Sequence, residues 1–131
     1  MLVESVQLFQ MIQTRMDYLT TRHKLIATNV ANADAPDYQT QDLKPFEQAM
    51  RGASASAPTL THASHLDKVA VSREYREDRT ADGWELAPSG NNVVLEQEMI
   101  KANEIRGAFE LSSRVMSKHL QMMTSALNTR S

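Results

Sequence analysis

No glycine or proline occurs before Pro36, and within that uninterrupted run the apolar residues keep a seven-residue beat. Leu2, Phe9, Met16, His23 and Val30 recur at every seventh position, and Ser5, Ile12, Leu19, Ile26 and Ala33 follow each of them by three. This spacing places both rows on one stripe of a helix, a seam built to meet another helix. The pattern predicts a helix over residues 3–33, about 30 residues and roughly 45 Å long at 1.5 Å per residue. Asn29, Asn32 and Asp34 accumulate ahead of Pro36 and compete for local backbone hydrogen bonds. The helix is expected to fray between Asn32 and Ala35.

The other end repeats the theme. Ser89-Gly90-Asn91-Asn92 opens a second helical stretch, where an Asn can accept from first-turn N–H groups and Glu96 and Glu98 suit the positive end of the helix dipole. A helix is predicted from Val93 to Asn128. Leu95, Ala102, Phe109, Met116 and Met123 recur every seven residues, with Met99, Ile105, Leu120 and Leu127 flanking them on the same face. A second apolar row, Leu111, Val115 and Met122, lies to one side, so this helix is expected to pack on more than one side. Gly107 costs about 1 kcal/mol against Ala in a helix interior, and either admits another backbone or is tolerated. Glu110 and Arg114 stand i, i+4 in the favourable order and support the helix without implying chemistry.

Between these ends the pattern is lost. Ala53-Ser54-Ala55-Ser56-Ala57-Pro58-Thr59 has no apolar periodicity and reads as a linker, and Arg73-Glu74-Tyr75-Arg76-Glu77-Asp78-Arg79 is a mixed-charge run. Val69, Val71 and Tyr75 alternate weakly with polar residues and Asp82-Gly83 precedes Trp84, consistent with a short β-ribbon. The expected fold class is mainly α, two long terminal helices in coiled-coil-like packing around an irregular or β-ribbon middle. The chain divides into an N-terminal assembly helix (1–34), a turn segment (35–52), a polar middle (53–90) and a C-terminal assembly helix (91–131).

Composition narrows the function. With 131 residues but only 5% aromatics, two helices joined by a polar middle bury little surface against the entropy of ordering the chain. A spaced apolar stripe is ordinarily the core of a self-contained bundle, yet two helices are too few for one. The monomer is expected to be marginal, with partner helices coming from other molecules. Eight methionines suit adaptable packing between neighbours.

The net charge of −2 offers no basic footprint, and no stacking aromatics accompany Arg15, Arg22, His23 and Lys24. Nucleic acid is therefore not an expected partner. No apolar run reaches membrane-spanning length, and Met1-Leu2-Val3-Glu4-Ser5-Val6 lacks the basic start and continuous apolar core of a secretory signal. The absence of cysteine excludes disulfide and thiol chemistry. His62, His65 and Asp67 are the nearest approach to a metal site, but zinc wants a third or fourth protein ligand from elsewhere, and the ordinary reading is polar histidines near a loop. No activated nucleophile, phosphate loop or dinucleotide fingerprint occurs. No catalytic, cofactor-binding or metal residues are assigned, and an enzyme is not expected.

Residues 18–42 carry a further signal. The run Ala27-Thr28-Asn29-Val30-Ala31-Asn32-Ala33-Asp34-Ala35-Pro36-Asp37-Tyr38 resembles the N-terminal signature of the bacterial flagellar rod and hook proteins, approximately Ala-Asn-Asn-Ile-Ala-Asn-x-x-Thr-Pro-Gly-Tyr. Ala27, Asn29, Ala31, Asn32, Pro36 and Tyr38 fall in register, while Ala35 replaces a usual Thr and Asp37 a usual Gly. Asp tolerates a left-handed backbone, so the turn survives the second exchange. Leu60-Thr61 with His65, and Gly90-Asn91-Asn92-Val93 followed by Leu95-Glu96-Gln97-Glu98-Met99, point within that family to a proximal rod subunit. The resemblance covers residues 1–48 and 89–128.

The resemblance implies a structural subunit of the rod that polymerises through its terminal helices and transmits torque. It implies export through the flagellar type III apparatus without a cleaved signal, and residence in the basal-body rod within the periplasm. Expected partners are the chain itself, other rod proteins, a rod-base adaptor protein and the export gate. Asn29, Ala31, Asn32, Pro36, Asp37 and Tyr38 would form the signature turn. Leu2, Phe9, Ile12, Met16, Leu19, Ile26 and Val30 on the first helix, and Leu95, Met99, Ala102, Ile105, Phe109, Met116, Leu120, Met123 and Leu127 on the second, would form the assembly interface. A soluble helical adaptor that homodimerises through one coiled coil is the alternative.

Overall fold

The computed structural model describes residues 2–55, 77–78 and 87–128. In chain order these form α1 (Leu2–Ala31), β1 (Asp42–Leu43), α2 (Phe46–Ala55), β2 (Glu77–Asp78) and α3 (Leu95–Asn128). The two long helices dominate. They lie antiparallel, as Asn29 meets Glu98 near one end of the pair and Ser5 meets His119 near the other.

The end of α1 follows from its own residues. The amide of Asn32 is shared between the carbonyls of Thr28 and Asn29 at 3.1 Å each, and Ala33 and Ala35 bond back three residues to Val30 and Asn32. This tightening of the last turn, with Asn32 Nδ2 donating to the Thr28 carbonyl at 2.8 Å, satisfies the carbonyls that a helix leaves open at its C-terminus. Threonines 14, 20, 21 and 28 are accommodated inside the helix by donating to carbonyls four residues back.

After the turn the chain runs back along α1. Gln41 lies by Asn29, Asp42 by Arg22, and Lys44 and Phe46 by Tyr18. The Tyr18 and Phe46 rings meet edge to face with centroids 5.4 Å apart, and the Arg15 guanidinium stands over Phe46. β1 pairs antiparallel with β2, Asp42 opposite Asp78 and Leu43 opposite Glu77. The boundary expected between turn segment and linker at residue 53 falls inside a helix: the Pro45 carbonyl accepts from Gln48 and Ala49, and α2 continues to Ala55. The run beginning at Ala53 has no apolar beat, but its alanines are strong helix formers and extend a turn already nucleated. The ribbon drawn from Val69, Val71, Tyr75 and Asp82-Gly83-Trp84, and the candidate ligands His62, His65 and Asp67, lie outside the described residues.

The core is small and sits in the half of the hairpin nearer the turn. Tyr18, Leu19, Ile26, Leu43 and Ile105 form it, with Leu25, Phe46, Ala102 and Ala108 packed against them. Of the two rows on α1, the one holding Ile12, Leu19 and Ile26 is buried against α3, while Phe9 and Met16 are half-buried and Val30 is exposed.

On α3 the buried row differs from the one the apolar beat picks out. Glu98, Ile105, Ser112 and His119, again seven apart, are buried. In the expected row, Leu95 and Phe109 stay exposed and Ala102, Met116 and Met123 are half-buried. Three of the four inward positions are polar and each is satisfied: Glu98 accepts from Asn29, Ser112 Oγ donates to the Ala108 carbonyl, and His119 Nε2 meets the Ser5 carbonyl at 3.0 Å. Apolar periodicity misses such a row because hydrogen bonding, rather than hydrophobicity, makes its burial tolerable.

Candidate functional site

The signature turn and the loop before α3 close into one structure. Asn29, on the last full turns of α1, is wholly buried. Its Nδ2 donates to the Gln41 carbonyl at 2.7 Å and to Glu98 Oε2 at 3.0 Å, and its Oδ1 accepts from Tyr38 Oη at 3.0 Å and from the Gln41 amide at 3.1 Å. An amide side chain offers two donors and two acceptor lone pairs, so its capacity is filled. One side chain thereby ties together α1, the returning strand and α3.

Asn91 makes a second tie from the opposite loop. Its Nδ2 donates to the Asn32 and Ala35 carbonyls at 2.9 and 2.7 Å, and its Oδ1 accepts from the Val93 amide at 2.7 Å. Asn92 Oδ1 accepts from the Thr40 amide, and Gln39 Nε2 donates to the Gly90 carbonyl. Neither asparagine therefore caps the first turn of α3, which begins at Leu95 rather than Val93; both serve the junction instead.

Backbone pairs complete it, Asp37 N to the Ser89 carbonyl at 2.9 Å and Asn92 N to the Tyr38 carbonyl at 3.3 Å. Asp37 has φ +58°, the left-handed conformation that favours glycine, and Gly90 opposite has φ +81°. A Cβ on Gly90 would run into Asp37 Oδ1 and lie 3.3 Å from Asp37 Cα, so the two turns touch backbone to backbone.

A charged layer lies directly beneath. Arg22 grips Asp42 in a two-pronged pair, Nε to Oδ1 and Nη2 to Oδ2 at 2.8 Å each. Hydrogen bonding to Asp42 raises the Arg22 pKa above its ordinary value, with burial opposing and the charges of Asp42, Tyr18 and Glu104 assisting. Lys101 stands 3.2 Å from Glu98 and 3.8 Å from Asp42. Glu98, which suits the helix dipole by its position in the sequence, is wholly buried and serves this layer. Its burial is acceptable because Lys101 and Asn29 both contact it.

Of the signature residues, the structure brings Asn29, Asn32, Asp37 and Tyr38 into this clasp, while Ala31 and Pro36 remain on the surface. Arg22, Asp42, Gln41 and Lys101 belong to the clasp and carry no local motif; their roles come from the chain's return path. Glu110 pairs with Arg106 at 3.3 Å, one turn before it, rather than leaving that role to Arg114.

The residues expected at an assembly interface divide into two sets. Ile12, Leu19, Ile26 and Ile105 are buried within the hairpin. Val30, Leu95, Met99, Phe109, Leu120 and Leu127 are exposed, Met99 at 64% and Leu127 at 71%. Phe9, Met16, Ala102, Met116 and Met123 lie between, and the side chain of Leu2 is outside the description. On the far flank of α3, Leu111 at 62%, Val115 and Met122 are exposed as well, so α3 shows apolar residues on both sides of the seam it shares with α1. Among the described residues no three acidic, histidine or cysteine side chains gather as a metal site. No described helix is long and apolar enough to cross a membrane.

No family model matches the sequence. Curated proteins do. Over 124 residues the chain is 29% identical to the flagellar basal body rod protein FlgB of Agrobacterium fabrum, spanning 92% of each. It is 26% identical to that of Salmonella typhimurium across 88% of each, and 23% identical to that of Escherichia coli across 89% of this chain and 90% of the other. Fold and similarity together define a structural protein of the flagellar basal body rod. Within that class it is the FlgB type that the chain resembles, along nearly its full length.

Proposed function

We propose that this chain is a subunit of the proximal rod, polymerising through its two terminal helices so that the assembled shaft transmits torque. The observation that carries this reading is the incomplete burial of α3. Its inward row is spent on α1, yet Phe109, Leu111, Val115, Leu120, Met122 and Leu127 remain exposed on a single helix. Exposed apolar residues gathered in this way mark a surface that meets another protein. The relatives named above are rod proteins, which supplies the kind of assembly in which such a helix would be covered. The clasp has a mechanical part in this reading: it fixes the angle and register at which the hairpin turns, so that load on one helix passes to the other. Location in the periplasmic rod, export without a cleaved signal, and contact with other rod proteins, a rod-base adaptor and the export gate belong to the same proposal.

The test contrasts two kinds of substitution in a motile host lacking the native gene. Leu111→Asp and Met122→Asp should leave the purified chain folded and soluble but abolish its recovery in isolated basal bodies, and motility with it. Ile12→Asp, which buries an unpaired carboxylate at a site only 7% exposed, should cost several kcal/mol and deplete the soluble protein itself. Normal motility with both exposed-face variants would reject the reading. The alternative of a homodimeric adaptor predicts instead a stable dimer in solution and absence from basal bodies.

A further inference from the structure

The flank of α3 that carries Leu111 is complementary to itself. Leu111 is 62% exposed. Steps of four, seven and eleven residues, the spacings that keep to one side of a helix, lead from it to Gly107 and Val115, to Glu104 and Lys118, and to Ile100 and Met122. All seven positions are exposed. The outermost pair is apolar at both ends, the next pair is opposite in charge, and the innermost pair is a glycine and a β-branched residue. Turned end for end about Leu111, the stripe sets each member of a pair against its counterpart.

Each pair has something to gain from that turn. Among the described residues neither Glu104 nor Lys118 has an ion partner, whereas on the opposite flank Arg106 is already paired with Glu110 at 3.3 Å. A Cβ placed on Gly107 would meet nothing within 4 Å, so this position is an open notch in the stripe. Glycine weakens a helix interior, and a notch deep enough for a neighbouring side chain is what it supplies here. Val115 is the side chain that the turn brings opposite it.

We propose that two copies of the unassembled chain pair through this stripe, α3 of one antiparallel to α3 of the other about a two-fold axis at Leu111. Glu104 of each copy then meets Lys118 of the other, Ile100 meets Met122, and Val115 enters the notch at Gly107, every contact being made twice as a two-fold interface requires. A parallel pair in register would set Glu104 against Glu104 and Lys118 against Lys118, and sliding the helices to avoid this leaves half of the stripe uncovered. A single helix-to-helix seam is small for a protein interface, so the dimer is weak and reversible. The exposed charges choose its orientation more than they add affinity. Leu111, Val115 and Met122 also belong to the surface that the rod reading covers, and where it bears on assembly the inference rests on that reading: the pair shields the stripe until the chain is incorporated, and must part for incorporation to occur.

The chain has no cysteine, which makes the geometry readable by cross-linking. Under mild oxidation the purified Leu111→Cys variant should form a disulfide-linked dimer, because a residue on a two-fold axis faces its own copy. Glu104→Cys and Lys118→Cys should each cross-link slowly alone and at least about tenfold faster when mixed, since only unlike positions come within disulfide reach. In sedimentation over a concentration series the wild-type chain should show a weak dimer. Glu104→Lys and Lys118→Glu should each lower its association constant about tenfold by turning two attractions into two repulsions, and the chain carrying both exchanges should regain it. Retained helical circular dichroism confirms that each variant folds. A wild-type chain that stays monomeric throughout the series, a doubly exchanged chain no better than the single variants, or cross-linking of Glu104→Cys alone as fast as that of Leu111→Cys would overturn the proposal. Failure of the rod reading is separate: it would show as absence of the chain from isolated basal bodies, whatever the purified variants do.

Discussion

Replacing Asn29 by Asp exchanges one NH2 group for an oxygen and changes almost no volume, yet it should be among the most damaging substitutions in the chain. The Nδ2 group donates both to the Gln41 carbonyl and to Glu98 Oε2. An aspartate oxygen there leaves the carbonyl without its donor and sets a second carboxylate against a buried first one, while the acceptor side toward Tyr38 and the Gln41 amide survives. The lost donor costs about 1–3 kcal/mol, and uncompensated charge inside the structure brings the total to roughly 3–5 kcal/mol. A domain of ordinary stability has about 5–15 kcal/mol to lose, so a hairpin with so small a core would be largely unfolded near room temperature.

The prediction has an internal control. Adding Glu98→Gln to Asn29→Asp restores a donor and acceptor across the 3.0 Å contact and removes the like charge, while the Gln41 carbonyl stays unpaired. The double variant should therefore recover about 1–2 kcal/mol relative to Asn29→Asp, a coupling read from a double-mutant cycle. Urea unfolding followed by the helical circular dichroism signal supplies all four stabilities. If Asn29→Asp shifts stability by less than about 0.5 kcal/mol, or if Glu98→Gln adds its cost independently, the clasp does not join the helices in the way described.

Two further outcomes follow from the turn and the charged layer. Asp37→Gly should leave the melting temperature unchanged or slightly raised, whereas Asp37→Val should cost about 1–2 kcal/mol, because a β-branched residue is an outlier at φ +58°; Gly90→Ala should lower it too, its Cβ meeting Asp37, and thermal melts of the three variants check the order. Arg22→Lys should not behave conservatively: losing one prong of the fork to Asp42 should cost about 1 kcal/mol in urea unfolding. The pH behaviour of this pair has a definite sign. Since the folded pKa of Arg22 is raised, its contribution is fully present below the ordinary guanidinium value and is lost only as pH climbs through the still higher folded value. Titration of Arg22 itself should therefore add no stability change on the alkaline side up to about pH 10, and an Arg22-dependent loss between pH 8 and 10, measured against Arg22→Lys, would contradict it.

The sequence by itself determined the two helices and where the first one ends. A run without Gly or Pro, a seven-residue apolar beat, and Asn and Asp collecting before Pro36 are local signals, and helix boundaries obey local rules; α1 ends at Ala31 and α3 starts two residues later than expected. The same locality explains why the motif around Asn29 to Tyr38 stands out, and why the left-handed site at Asp37 is legible through the Gly it replaces. Tertiary structure alone decided which rows face inward. Glu98 and His119 look like surface residues until Asn29 and Ser5 are brought beside them. Likewise, nothing near Arg22 in the sequence announces Asp42, nor anything near Asn32 the side chain of Asn91. Burial of a polar group is set by partners that arrive from far along the chain, and so it becomes visible only once the chain has folded back on itself.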